Sequence, residues 1–209
     1  MNNEVKLKTG TTTVGILCKD CVVLAADRRA TAGNMIVDKH IHKVVPISGN
    51  IAVTTAGSVS DLQLLLKYIK SDINLRKIRS GRLTTVTEAA NLLSAWVYQI
   101  LRAQGGVCHF LLGGFDEEAK LYDIFPDGSL TAIDKFVSSG SGSTFAYGLL
   151  EDQYKEGISK EEGINLALKA VNTALQRDSA SGNGITIYVI DKKGVKLEEV
   201  KSVNASLLD

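Results

Sequence analysis

The stretch SVSDLQLLLKYIKSDINLRKIRSGRLTTVTEAANLLSAWVYQI, Ser58 to Ile100, decides the fold, because here the spacing of apolar residues changes. Leu62, Leu65, Leu66, Ile69 and Ile73 recur three or four apart, which places them on one face of a helix. Ser58 or Ser60 is available to cap that helix, and Gly81 follows its end. Thr85 with Glu88 then reads as a capping box, opening a second helix whose stripe is Ala89, Leu92, Leu93, Trp96, Val97 and Ile100, before Gly105-Gly106. The two helices follow one another with no strand between them. The strands on either side are therefore not joined by a single crossover helix, as parallel strands would be.

Working outward, the segments on both sides have strand character. Upstream, Thr11–Cys18 and Cys21–Asp27 flank the short turn Lys19-Asp20, and HKVVPIS and IAVTTAG flank Gly49-Asn50, two hairpin patterns. Downstream, VCHFLLGGFD, AKLYDIF and SLTAIDKFVSS read as three strands. TFAYGLLEDQY is a third helix, and a fourth begins near Ser159, with Glu162 completing its cap and Ile164, Ala167, Leu168, Val171 and Leu175 on one side. GITIYVID and GVKLEEV close the chain as a hairpin. The predicted order is four strands, two helices, three strands, two helices, two strands. Helices in pairs predict an α+β protein: two mostly antiparallel sheets face to face with a helix pair outside each, a four-layer αββα sandwich.

The 209 residues suffice for one domain with a substantial core, and two prolines leave no Pro-rich linker to divide it. A net charge of +1 gives no reason to expect nucleic acid or an anionic membrane as a partner. No apolar run reaches the roughly 20 residues of a membrane helix, and MNNEVKLKTG lacks the apolar centre of a secretion signal. An uneven set of cysteines, Cys18, Cys21 and Cys108, implies no disulfide framework. Together these predict a cytoplasmic protein.

Several motifs invite chemistry. CKDC, Cys18 to Cys21, flanks a hairpin turn and lacks the further ligands of a zinc site, so it reads as structural. DKHIHK places Asp38, His40 and His42 on one face of a strand, a solvated face, and turns Lys43 to the opposite side. There Lys43 is either a snorkelling surface lysine or an inward one that needs a carboxylate. SSGSGSTF before the third helix has the look of an anion cradle without the Lys of a nucleotide-binding loop. QRDSASGNG after the fourth helix, with Asp178, Ser179 and Ser181, is open to a turn or a site. No metal or cofactor site is predicted.

Taken together, TGTTTVGI, AADRRAT, HKVV, TTAGSVSD, LLGGFD, GSGSTFAYGLLE and RDSASGNG resemble, in order and approximate spacing, the proteasome β subunits of archaeal type. The likeness spans Thr11 to about Val200 and implies the αββα fold of the N-terminal nucleophile hydrolases. It implies that residues 1–10 are a propeptide removed autocatalytically between Gly10 and Thr11, leaving 11–209 as one catalytic domain. Thr11 is then the nucleophile and its freed α-amine the base, with a pKa of roughly 7.7–8.0 before any perturbation. Lys43 matches the active-site lysine, Asp27 its carboxylate partner, Gly57 the oxyanion-hole donor, and Ser141, Asp178 and Ser181 the polar group around the amine.

By position in that family, Ala30, Ile41, Val45, Thr55, Val59 and Gln63 are expected to line the pocket for the residue before the cut. Their size and polarity suggest a preference for large uncharged side chains. Phe125-Pro126-Asp127-Gly128 and Gly105-Gly106 depart from the usual family pattern. The expected partners are other β subunits in a seven-membered ring, stacked against α-subunit rings, with a ring ATPase delivering unfolded polypeptides. An inactive ring subunit of the same fold, a phosphate- or nucleotide-binding module and a small-amide hydrolase are the competing readings.

Overall fold

The computed structural model describes residues 10–201. Residues 1–9 of the expected leader 1–10, and 202–209 at the end of the expected domain, lie outside them. Among the described residues are thirteen strands and four helices. Seven strands come first: β1 (Thr13–Leu17), β2 (Val22–Asp27), β3 (Ala30–Ala32), β4 (Met35–Asp38), β5 (Val44–Pro46), β6 (Ile51–Thr54) and β7 (Ala56–Gly57). The helix pair α1 (Val59–Ser80) and α2 (Val86–Gln104) follows, then β8 (Cys108–Phe115), β9 (Ala119–Ile124), β10 (Leu130–Ile133) and β11 (Phe136–Ser139). Helices α3 (Ser143–Gln153) and α4 (Lys160–Leu175) precede the closing hairpin of β12 (Ile185–Asp191) and β13 (Gly194–Lys201).

One sheet has the order β11-β1-β2-β12-β13 and the other β10-β9-β8-β6-β5, with β7 also on β8. Every strand pairing is antiparallel. Strand alternation builds the layers. Val22, Leu24 and Ala26 of β2 point between the sheets, against Ala52, Leu111 and Leu121. Val23 and Ala25 point the other way, against Ala167, Ala170 and Val171 of α4. The second sheet sends Ile51, Val53, Phe110 and Leu112 toward Leu65, Ile69 and Leu93 of α1 and α2. The predicted αββα sandwich is the observed one.

The helix ends follow their sequences. Thr85–Glu88 and Ser159–Glu162 both form complete capping boxes, and Gly81 and Gly105 end α1 and α2 in the left-handed conformation. Ser58 occupies the N-cap position of α1, but its hydroxyl bonds Ser60 at 3.2 Å rather than capping.

Three expectations on strands need correction. SLTAIDKFVSS is two strands, since β10 joins one sheet and β11 the other, and the chain changes sheet at Asp134-Lys135. Ala30 to Asp38 forms the β3–β4 hairpin, paired with neither main sheet, and every residue of β4 is exposed, so no alternating pattern marks that strand. DKHIHK is not a strand: β4 ends at Asp38, whose carboxylate accepts the His40 N–H at 2.7 Å and bends the chain. His40 and His42 are exposed there.

Candidate active site

The sheets converge where Thr11 enters β1, β2 ends at Asp27, and Lys43 enters β5 of the other sheet. Thr12 holds the first two together: its carbonyl accepts the Asp27 N–H at 3.1 Å and its N–H donates to Asp27 Oδ1 at 3.0 Å. Asp27 is fully buried and Lys43 is 4% exposed. Lys43 Nζ donates to Asp27 Oδ1 at 2.7 Å, to Thr11 Oγ1 at 3.1 Å and to the Gly10 carbonyl at 3.1 Å. Of the two readings left open for Lys43, the inward one is observed.

Those three bonds use every donor of the ammonium. Asp27 Oδ2 additionally accepts the N–H groups of Arg29 and Gly182, both at 3.0 Å, so the carboxylate has four donors. Burial pushes the Lys43 ammonium below its ordinary pKa, and the Asp27 charge and hydrogen bond oppose that shift. Asp27 thereby offsets part of the cost of holding the lysine so far from water.

The three consecutive threonines point to three different partners. Thr11 Oγ1 donates to the Gly10 carbonyl at 2.6 Å, Thr12 Oγ1 bonds Ser181 Oγ at 2.8 Å, and Thr13 Oγ1 bonds Ser139 Oγ at 2.6 Å. Thr11 N donates to Ser141 Oγ at 3.2 Å, and Ser141 donates in turn to Asp178 Oδ2 at 2.6 Å. Ser181 donates to the same Asp178 oxygen at 2.7 Å. Thr11, Asp27, Lys43, Ser141, Asp178 and Ser181 thus form one connected hydrogen-bonded group, although they are dispersed over the sequence.

The glycine-serine loop before α3 serves this group. Gly140 has φ +89°, and a Cβ on it would run into the Thr11 carbonyl, so the loop can wrap Thr11 closely only as glycine. Gly142 N donates to that same carbonyl at 3.3 Å. Gly57 also has a positive φ, +126°, and its Cβ position is blocked by the Val107 carbonyl. Gly10 is confined differently: a Cβ there would overlap the Ala180 side chain.

Beside Thr11 lies a cavity of about 70 Å³. Ala30, Ile41, Thr55 and Val59 of the expected pocket residues line it, together with Gly57. Val45 and Gln63 do not: Val45 packs toward the α1–α2 side of its sheet, and Gln63 is exposed on α1. The lining also includes Val37, Leu62 and Arg29, which lie outside the expected pocket set. Val37 comes from the hairpin hidden in an irregular pattern, and Leu62 was assigned to the core stripe of α1. The Thr55 hydroxyl donates to the Lys43 carbonyl at 3.2 Å, which ties the cavity floor to the lysine's own backbone.

The other flagged motifs lie apart. Cys18 and Cys21 are buried thiols flanking the β1–β2 turn, and a Cβ at Gly163 of α4 would strike Cys18 Sγ. Phe125-Pro126-Asp127-Gly128 is the β9–β10 turn, where Phe125 stacks on His109 at 5.1 Å and Asp127 accepts the Ser129 N–H. His109 itself bonds the buried Asp123 at 2.6 Å. Among the described residues no helix is long and apolar enough to cross a membrane.

Chemically, the group offers a hydroxyl against a carbonyl, a cation over both, and a nitrogen tied to a serine-aspartate relay. A family model described as "Proteasome subunit" matches residues 7–190. "Proteasome subunit beta" of Methanothermobacter thermautotrophicus is 44% identical over 194 residues, covering 92% of this chain and 91% of its own. The protein of the same name from Methanocaldococcus jannaschii is 42% identical over 200 residues, covering 95% and 89%. "Proteasome subunit beta 1" of Thermococcus kodakarensis is 41% identical over 204 residues, covering 95% and 98%.

Proposed function

The chain belongs to the proteasome subunit family, and from that premise we propose that it is a catalytic β subunit, a threonine-type endopeptidase that first cuts itself between Gly10 and Thr11. The observation that carries this reading is Lys43 Nζ within 3.1 Å of both the Thr11 hydroxyl and the Gly10 carbonyl. In self-processing, Thr11 Oγ1 attacks the Gly10 carbonyl carbon. The C–N bond breaks as the C–O bond forms and the hydroxyl proton passes to the departing Thr11 nitrogen, so the leader moves from nitrogen to oxygen as an ester. Water then hydrolyses that ester, releasing residues 1–10 as a carboxylate and leaving a free amine on Thr11. Residues 11–209 remain as the working domain.

Processing supplies the missing base. An ammonium that spends three donors on Asp27, Thr11 and Gly10 accepts no proton, whereas a neutral terminal amine does. In turnover Thr11 attacks a substrate carbonyl, the Gly57 N–H stabilises the oxyanion, and the amine carries the proton to the leaving nitrogen. Water activated by the same amine releases the acyl group. One oxyanion donor contributes on the order of 2.7–4 kcal/mol to such a barrier. Ser141, Asp178 and Ser181 hold the amine in place, and the apolar lining of the cavity favours large uncharged side chains before the cut.

Within the assembly, the chain takes its place beside other β subunits in a seven-membered ring stacked against α rings, and a ring ATPase feeds it unfolded polypeptides. The test is intact mass beside peptide turnover. Wild type is expected to lose residues 1–10 and cleave fluorogenic peptides; Thr11→Ala is expected to keep the leader and cleave nothing. An assembled ring that turns over peptide with the leader still attached would refute the mechanism.

A further inference from the structure

Asp178, Ser181 and Gly182 sit on the irregular segment between α4 and β12, and that segment has its own clamp. Arg29, from the link between β2 and β3, reaches across to it. Arg29 Nε donates to Asn183 Oδ1 at 2.8 Å, and Nη1 donates to the Ser179 carbonyl at 2.8 Å. The planar guanidinium lies against Gly182 so closely that a Cβ there would overlap it. Asn183 is the non-glycine residue with positive φ, 63°, among the described residues, so the acceptor for Nε is presented by a turn that few side chains tolerate.

The clamped segment reaches the site at several points. Asp178 accepts Ser141 and Ser181, Ser181 bonds Thr12, and Gly182 N donates to Asp27 Oδ2. The Arg29 backbone N–H donates to that same Asp27 oxygen at 3.0 Å. One residue therefore grips both the carboxylate that steadies Lys43 and the loop that steadies the Thr11 nitrogen.

We infer that Arg29 is a positioning residue for the reaction: through its two-pronged hold on Ser179 and Asn183 it fixes the loop that orients the nucleophile's amine. The inference rests on the Thr11 acyl-transfer reading. Its geometry needs a fork, since a lysine ammonium reaching one acceptor leaves the other without its donor. The hold on Ser179 and Asn183 orients the reacting groups, so its loss acts on kcat; Arg29 also lines the cavity beside Thr11, so KM is read on Asn183→Gly, a residue outside that lining.

The experiment measures kcat and KM for a fluorogenic peptide with the full chain in its assembled form, for wild type, Arg29→Ala, Arg29→Lys, Asn183→Gly and the Arg29→Ala/Asn183→Gly pair. Arg29→Ala is expected to lower kcat about tenfold, and Asn183→Gly to leave KM within about twofold of wild type. Arg29→Lys should fail to restore kcat. Asn183→Gly keeps the positive φ but removes the acceptor, and should lower kcat on its own; the pair should be no worse than Arg29→Ala, a non-additive cycle. Should Arg29→Ala not assemble, the kcat loss in Asn183→Gly decides the matter. Unchanged kcat, strictly additive losses, full rescue by lysine, or a rise in KM alone would overturn the inference. A Thr11→Ala control separates the two readings: turnover by that variant overturns the nucleophile assignment and the Arg29 role with it. An inactive control beside fully active Arg29 variants overturns the Arg29 role alone.

Discussion

Replacing Lys43 with methionine keeps most of the length of the side chain and removes its charge and its three hydrogen bonds. The change strands the Asp27 carboxylate, which is fully buried. Breaking a buried ion pair by removing one partner costs about 3–5 kcal/mol. Asp27 would still accept the N–H groups of Thr12, Arg29 and Gly182, which puts the expected loss at the lower end, about 3 kcal/mol. For a chain of this length that is a fall in melting temperature of about 6–12 °C. The comparison is best made on the Thr11→Ala background at equal protein concentration, so that both proteins carry the leader and the same assembly equilibrium. On the Thr11 background the same substitution should leave the leader attached and abolish peptide turnover, read by mass and fluorescence. A Lys43→Met protein that melts with its parent, or that still removes residues 1–10, would show that the ion pair neither supports the fold nor assists the hydroxyl.

The remaining expectations are smaller in scope. Gly10→Ala should block removal of residues 1–10, because its methyl would overlap Ala180, and Ala180→Gly in the same chain should restore cleavage; intact mass reads both. Glu88→Gln keeps an acceptor for the α2 cap but loses the charge that faces Arg82. The Arg82 hydrogen bonds, with the Thr85 N–H, hold the Glu88 carboxyl down at about 2, so the folded pKa lies below the unfolded one. Stability from this group is therefore full above the ordinary carboxylate range and fades as pH falls toward 2. The gap in melting temperature between wild type and Glu88→Gln should be largest near neutral pH and narrower at pH 3; a gap constant with pH would contradict it.

Much of the fold was legible because local rules agreed with the long-range result. The stripes of α1 and α2, the two capping boxes, and Gly81 and Gly105 set the helix pairs, and the pairs set the layers. What escaped notice lacked a local signal. The β3–β4 hairpin is exposed on its second strand, so no apolar alternation marks it. The change of sheet between β10 and β11 depends on which neighbour each half finds, and nothing in LTAIDKFV distinguishes them. At the site, composition alone left Lys43 undecided, because its cost is offset by Asp27, a residue sixteen positions away. Arg29 stood inside a quoted motif unremarked, since its partners, Ser179 and Asn183, are distant in sequence.

The hydroxyl and its carboxylate neighbour belong to one sheet, while the cation enters at the edge of the other. On the proposed mechanism, a chain with only one of these sheets formed lacks either the hydroxyl or the cation. Self-cleavage would then wait until the two sheets have come together, so the architecture itself would act as a quality inspector, withholding the blade from any molecule that has not finished folding.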